Sequence, residues 1–234
     1  AVKDAGFQEL HVFTFFPQSG VDQRVTWTMV VKLSQTQEDS LMNVLGIYGS
    51  PRENGNTDLM LDSFLEGAAS AGGVVRRVYV RDLQFGGCVE CGGCDATGAC
   101  IQEDDLVDVY PLLEEAPRIV LASPIFFYGV SGQVKLLMDR SQAPYMAREL
   151  AKKEGRDPLQ ESRRRGFLLS AGATRGKRLF DCAILTVKYF YDALSVHYAG
   201  ELCFREIEAK GAIRQFPGAL EECFRAGKAF VESE

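Results

Sequence analysis

The chain has 234 residues, 46% hydrophobic and 25% charged, with 26 basic against 32 acidic side chains and a net charge of −6. That composition excludes a disordered, collagen-like or coiled-coil chain. A nucleic-acid binder normally carries a basic face, and with this acidic balance no such partner is expected. The longest charge-free stretch, Ile119 to Val134, is too short for a bilayer and contains Pro124, Gly129 and Gly132. No membrane partner is expected. Near the N-terminus, the apolar run Val12 to Phe16 stops at Pro17, a poor secretory signal, so a cytoplasmic location is expected.

Residues 1–41 read differently from the rest. His11 to Phe16 and Arg24 to Lys32 are strand-like, and Pro17-Gln18-Ser19-Gly20 supplies a turn between them, which predicts an N-terminal β-hairpin extension. From Met42 onward strands and helices alternate. Asn43 to Gly49 is a short apolar run of the kind buried on both faces of a parallel sheet. Asp58 to Ala71 carries helical spacing, ended by Gly72-Gly73. Val74 to Val80 predicts a second strand. Leu106 to Glu115 predicts a helix capped by Asp104 or Asp105, which makes capping the better reading of Glu103-Asp104-Asp105 than catalysis. Arg118 to Ala122 predicts a third strand, and Ser131 to Arg140 a helix. The charged stretch Arg148 to Arg165 reads as a solvated excursion. Gly166 to Ala171, Arg178 to Leu194, Val196 to Leu202 and Leu220 to Glu232 add a strand, a helix, a strand and a helix. The expected fold of residues 42–234 is α/β, a doubly wound sheet of five parallel strands.

Between the first strand and its helix lies Gly49-Ser50-Pro51-Arg52-Glu53-Asn54-Gly55-Asn56-Thr57. A polar loop opening a helix presents unpaired N–H groups and a positive dipole end, an anion site suited to phosphate. Ser50, Asn56 and Thr57 add donors and Arg52 adds charge; the competing reading is that they only cap the helix and shape the turn. The loop matches neither G-x-G-x-x-G nor the P-loop pattern. After the third strand comes Ser123-Pro124-Ile125-Phe126-Phe127-Tyr128-Gly129-Val130-Ser131. An aromatic loop at the carboxyl end of an inner strand can stack a flat heterocycle, and its rings can equally be core or interface.

Together, G-S-P-R-x-x-G-N-T and S-P-I-F-F-Y-G-V-S-G-Q-V-K-L-L-M-D-R resemble the NADPH-dependent FMN reductase family of the flavodoxin-like superfamily, over residues 42–234. The resemblance implies that Ser50, Arg52, Asn56 and Thr57 hold the FMN phosphate. It also implies that Pro124, Ile125, Phe126, Phe127, Tyr128 and Ser131 line the isoalloxazine, helped by Ala171 and Gly172. The family usually has tyrosine where this chain has Phe126. Asp139 and Arg140 close the helix motif and read as structural.

Seven cysteines, an odd number, argue against a fully paired disulfide framework. Cys182, Cys203 and Cys223 lie in apolar stretches and are expected to be small buried hydrophobes. Cys88, Cys91, Cys94 and Cys100 form C-x2-C-x2-C-x5-C across residues 88–100. Three thiols at two-residue gaps, with Gly92, Gly93 and Gly98 allowing close backbone approach, suit a [4Fe-4S] cube. Zinc and a metal-free thiol loop are the alternatives. Set between the second and third strands of an FMN-binding chain, the motif resembles the iron-sulfur flavoproteins of anaerobic prokaryotes. That resemblance implies an electron-transfer oxidoreductase with FMN and a [4Fe-4S] cluster, passing electrons between a ferredoxin or similar carrier and a small-molecule acceptor, as a homodimer or homotetramer. An NAD(P)H-dependent FMN or quinone reductase without a cluster is the alternative, and a non-enzymatic redox-sensing module the alternative of another class. The histidines His11 and His197 do not read as catalysts, and no catalytic dyad is expected, because the chemistry would belong to FMN.

Overall fold

The computed structural model describes residues 42–233. The hairpin expected in residues 1–41 lies outside them. Five parallel strands, β1 (Asn43–Tyr48), β2 (Val74–Tyr79), β3 (Arg118–Pro124), β4 (Arg165–Ala171) and β5 (His197–Phe204), form one sheet in the order β2-β1-β3-β4-β5. Val44 pairs in register with Arg118, and Ile119 with Gly166. Helices α1 (Asn56–Ser70), α2 (Leu106–Glu115), α3 (Gly132–Arg140), α4 (Gln142–Lys153), α5 (Pro158–Glu161), α6 (Asp181–Ala193) and α7 (Ala219–Glu232) flank the sheet, with short 3-10 turns at Val80–Asp82 and Ala212–Gln215.

The period-two alternation of β1 explains the two cores. Val44 and Tyr48 face one side, with Phe64 and Leu65 of α1 and Phe230 of α7. Leu45 and Ile47 face the other, with Leu113 of α2, Val134 of α3 and Val187 of α6. Phe64, Leu65, Ile47 and Val187 are fully buried, each contributing about 1.5–3 kcal/mol relative to exposure. β1 and β3 are buried on both faces because each is central, while β2 and β5 are exposed edges. The chain leaves β1 toward β2 and then crosses back to β3, so the order reverses between β1 and β3. In open α/β sheets such a reversal opens a crevice at the carboxyl ends of the strands.

Two local expectations are corrected. The stretch 148–165 is not wholly solvated. It contains the end of α4 and all of α5, and Arg148 is buried, pairing with Asp192 at 2.6 Å and approaching Asp157 at 3.6 Å. Of the three scattered cysteines, Cys223 is buried and Cys203 partly so, but Cys182 is exposed in the first turn of α6. Burial pushes the Cys203 and Cys223 thiols up to about 12, so both stay protonated.

Candidate flavin and cysteine sites

Gly49 joins β1 to the polar loop. Its N–H donates to Ala122 O at 2.8 Å, and a Cβ there would meet Val134 Cγ2 at 2.2 Å and Ala122 O at 2.7 Å. Only glycine lets the ends of β1 and β3 approach this closely. The loop then turns on itself: Arg52 N–H donates to Ser50 Oγ at 3.0 Å, and Gly55 N–H to Arg52 O at 3.1 Å. Asp58, buried in the first turn of α1, accepts from Asn54 N–H at 3.0 Å and from Arg81 at 3.0 Å, and Arg81 also donates to Ser50 O at 3.2 Å. Burial pushes the Asp58 pKa up, and Arg81 opposes that without cancelling it. The loop is thereby braced from beneath, while the first N–H groups of α1 have no partner inside the helix.

These groups open onto a cavity of about 430 Å³. Ser50, Arg52, Gly55, Asn56 and Thr57 line its polar end. Pro124, Ile125 and Phe126 from the end of β3, with Ala171 and Gly172 from the end of β4, line the rest. One polar, dipole-facing end and one apolar slot suit a phosphate bearing a flat heterocycle. Asn56 is committed elsewhere: its amide donates to Ala209 O at 2.9 Å and accepts from Ile213 N–H at 3.2 Å, holding the loop after β5 in place. That loop adds Ile207 and Glu208 to the lining, residues no motif had singled out. They could have been found only by noting that β5 ends at the same sheet edge.

Phe127, Tyr128 and Ser131 do not line this cavity. Phe126 and Gly129 exchange two hydrogen bonds of 2.9 Å, so Phe127 and Tyr128 form a two-residue turn with φ of 50° and 65°. Phe127 is 105% exposed. Ser131 is buried as the N-cap of α3, accepting from Val134 N–H at 3.3 Å and donating to Gly49 O at 2.5 Å. It holds the aromatic loop to the phosphate loop.

The second site is a cavity of about 270 Å³ lined by Cys88, Cys91, Cys94 and Cys100. The segment carrying them, between Leu83 and Asp105, contains no helix or strand, so its shape is imposed by glycines and by neighbours. Gly98 has φ 72°, and a Cβ there would meet Ala147 of α4 at 2.5 Å. Gly98 N–H donates to Cys94 O at 2.8 Å. Burial foremost, with nearby Asp95, Cys100 and Cys88, raises the Cys94 thiol pKa. Four thiols on one cavity are a donor set suited to an iron–sulfur group. Among the described residues no three His, Cys, Asp or Glu side chains gather to hold a single metal ion. A cube asks for a different spacing, because each thiolate binds its own iron.

Arg140, also lining this cavity, ends α3 with its side chain 1% exposed. Its Nη1 donates to Asp104 Oδ2 at 2.5 Å and its Nη2 to Asp104 Oδ1 at 3.2 Å. Asp104 Oδ1 also accepts from Leu106 N–H at 3.1 Å, so the carboxylate caps α2 while pairing with Arg140. Burial works to raise the Asp104 pKa, but the hydrogen bonds and charge of Arg140 outweigh it and the net shift is downward. The Tyr110 hydroxyl donates to Arg140 O at 3.0 Å and lies beside Cys100; burial pushes it up to about 12.

The strand order and the cavity at the β1/β3 reversal define a flavodoxin-like protein with a ligand crevice at the carboxyl ends of its strands. The sequence profile of the NADPH-dependent FMN reductase family matches residues 42–179, more than half of the chain. The chain belongs to that family. It is similar to an iron-sulfur flavoprotein of Archaeoglobus fulgidus, 38% identical over 104 residues, 44% of this chain and 47% of that one. It is equally similar to an iron-sulfur flavoprotein of Methanocaldococcus jannaschii, 38% identical over 114 residues, 49% of this chain and 59% of that one. The chain spans about half the length of the curated relatives it matches. Among solved structures, an NAD(P)H:quinone oxidoreductase from Methanothermobacter marburgensis superposes with a TM-score of 0.61 at 13% identity, covering 81% of this chain and 96% of that one. A flavone reductase gives 0.59 at 18% identity, covering 82% and 62%. Both share the fold. No helix among the described residues is long and apolar enough to cross a membrane.

Proposed function

We propose that the protein is an electron-transfer oxidoreductase holding FMN in the β1/β3 cavity and a [4Fe-4S] cluster on Cys88, Cys91, Cys94 and Cys100. The observation that carries this reading is the meeting of four thiols on one cavity, in a chain of the FMN reductase family. When bound, a cube exchanges one electron at a time and FMN one or two, so the pair links a one-electron carrier to a two-electron acceptor. With both groups bound, a ferredoxin or similar carrier would be the one-electron donor and a small molecule the acceptor. The residues bind and orient. The α1 N-terminus and Thr57 hold the phosphate, and Ser50 shapes the turn that presents it. Pro124, Ile125 and Phe126 shield the ring from water on the side of β3, and Ala171 and Gly172 approach it from β4. The protein works as a homodimer or homotetramer.

Anaerobic reconstitution with iron, sulfide and FMN tests this directly. About four irons and one FMN per chain are expected, and Cys88→Ser or Cys94→Ser should lose the iron while keeping the flavin. A second reading, an NAD(P)H-dependent FMN or quinone reductase without a cluster, draws support from the matching family, whose description is NADPH-dependent FMN reductase. One FMN, no iron after reconstitution and rapid bleaching by NADPH would establish it in place of the first.

A further inference from the structure

The cysteine cavity contains one feature that four thiols alone do not account for. Arg140 is the only cation lining it among the described residues, whereas Glu90 and Asp95 line it as acids. Both Nη atoms of Arg140 have acceptors within the protein. They hold Asp104, which does not line the cavity, in a two-point pair. Nη1 also donates to Gly86 O at 3.1 Å and reaches Gln102 Oε1 at 3.4 Å. These contacts grip the loop just before Cys88 and just after Cys100. The remaining donor, Nε–H, is buried and has no acceptor in the protein. Native proteins rarely leave a buried donor unmatched, and for a charged group the penalty is larger still.

We propose that Arg140 Nε–H donates to a sulfur of the group bound by the four cysteines, and that its charge tunes the reduction potential of that group. The inference rests on the cluster reading above. A thiolate-held cube is anionic and becomes more so on reduction, and its potential follows net charge and hydrogen bonds to sulfur. A buried cation with one N–H directed at sulfur favours the reduced state. Asp104 pairs with the guanidinium at 2.5 Å but does not line the cavity, whereas Arg140 does. Arg140 therefore acts on the cluster through space and through one hydrogen bond, and as a clamp on the cysteine loop through its two Nη atoms.

The test uses anaerobically reconstituted full-length protein, as wild type, Arg140→Lys and Arg140→Gln, each checked for fold and for one bound FMN. In Arg140→Gln the cluster midpoint should move to more negative potential, in Arg140→Lys it should move less, and the FMN midpoint should stay in place. In wild-type protein labelled with 15N-arginine, pulsed magnetic resonance of the reduced cluster should show a 15N coupling that both variants lack. Equal cluster midpoints in all three loaded proteins would overturn the proposal and leave the cluster reading standing. If the glutamine variant fails to fold or to keep its iron, the labelled wild type decides alone: a loaded cluster without 15N coupling overturns the role of Arg140. Wild-type protein that takes up no iron overturns both readings together.

Discussion

Gly67 and Gly227 face each other where α1 crosses α7. A Cβ on Gly67 would lie 1.9 Å from Phe224 O, and one on Gly227 would lie 1.8 Å from Phe64 O. Each glycine thus accepts the backbone of the opposite helix, which seats α1 and fixes where its N-terminus points. Gly227→Ala should destabilise the protein by about 3 kcal/mol, the upper end for overpacking, because the obstacle is backbone that no rotamer change can move. Urea titration followed by far-UV dichroism measures this, and no change in midpoint would refute the close crossing.

Thr57 is buried at the polar end of the larger cavity. Removing a hydrogen bond to a charged phosphate costs about 1.5–3 kcal/mol, so Thr57→Ala should weaken FMN binding about tenfold to hundredfold. Asn56→Ala should behave differently. Its amide spans Ala209 and Ile213, so its loss should lower thermal stability of the flavin-free protein as well. Quenching of FMN fluorescence and a melt of the flavin-free form separate the two.

The pairing of Asp104 with Arg140 predicts a pH dependence. Because the folded-state pKa of Asp104 is depressed, the unfolded chain takes up its proton at higher pH than the folded chain does. The stability it contributes is complete above the ordinary carboxylate range and is lost as pH falls through that range toward the depressed value. Asp104→Asn should cost about 3 kcal/mol at neutral pH, the lower end for breaking a buried pair, since the carboxylate side chain is 16% exposed. The gap from wild type should close in acid. A gap that stays constant from neutral pH into acid would show that the carboxylate is not held as described.

At Phe127 and Tyr128 the backbone has the positive φ values of a tight two-residue turn, a conformation that Asn and Gly adopt most easily. Phe127→Asn should leave the fold as stable as wild type or more stable by about 1 kcal/mol, since the exposed ring has no packing to lose. Thermal melts of wild type and Phe127→Asn measure this, and a clear drop in melting temperature would refute it.

How much of this was legible beforehand depends on the range of the interactions. β1 and β3 were plain, because a strand buried on both faces must be apolar throughout, and α2 was found at Leu106–Glu115 because its period and its acidic start are local. The last helix, expected at Leu220 to Glu232, starts one residue earlier. α4 was missed: its charged surface and Pro144 hide a helix whose Arg148 is neutralised by Asp192, 44 residues further on. The polar end of the larger cavity was readable from one loop. Phe127 and Tyr128 were grouped with Phe126 because nothing in a run of aromatics reveals that a turn lifts two of them away. Arg140 looked like the end of a helix motif, and only folding brings it to thiols some 40 residues earlier in the chain.

The four thiols stand on an appended segment outside the β-sheet, and Cys91 is open to solvent. Residues of that segment can therefore change without altering the register of any strand or the filling of either hydrophobic layer.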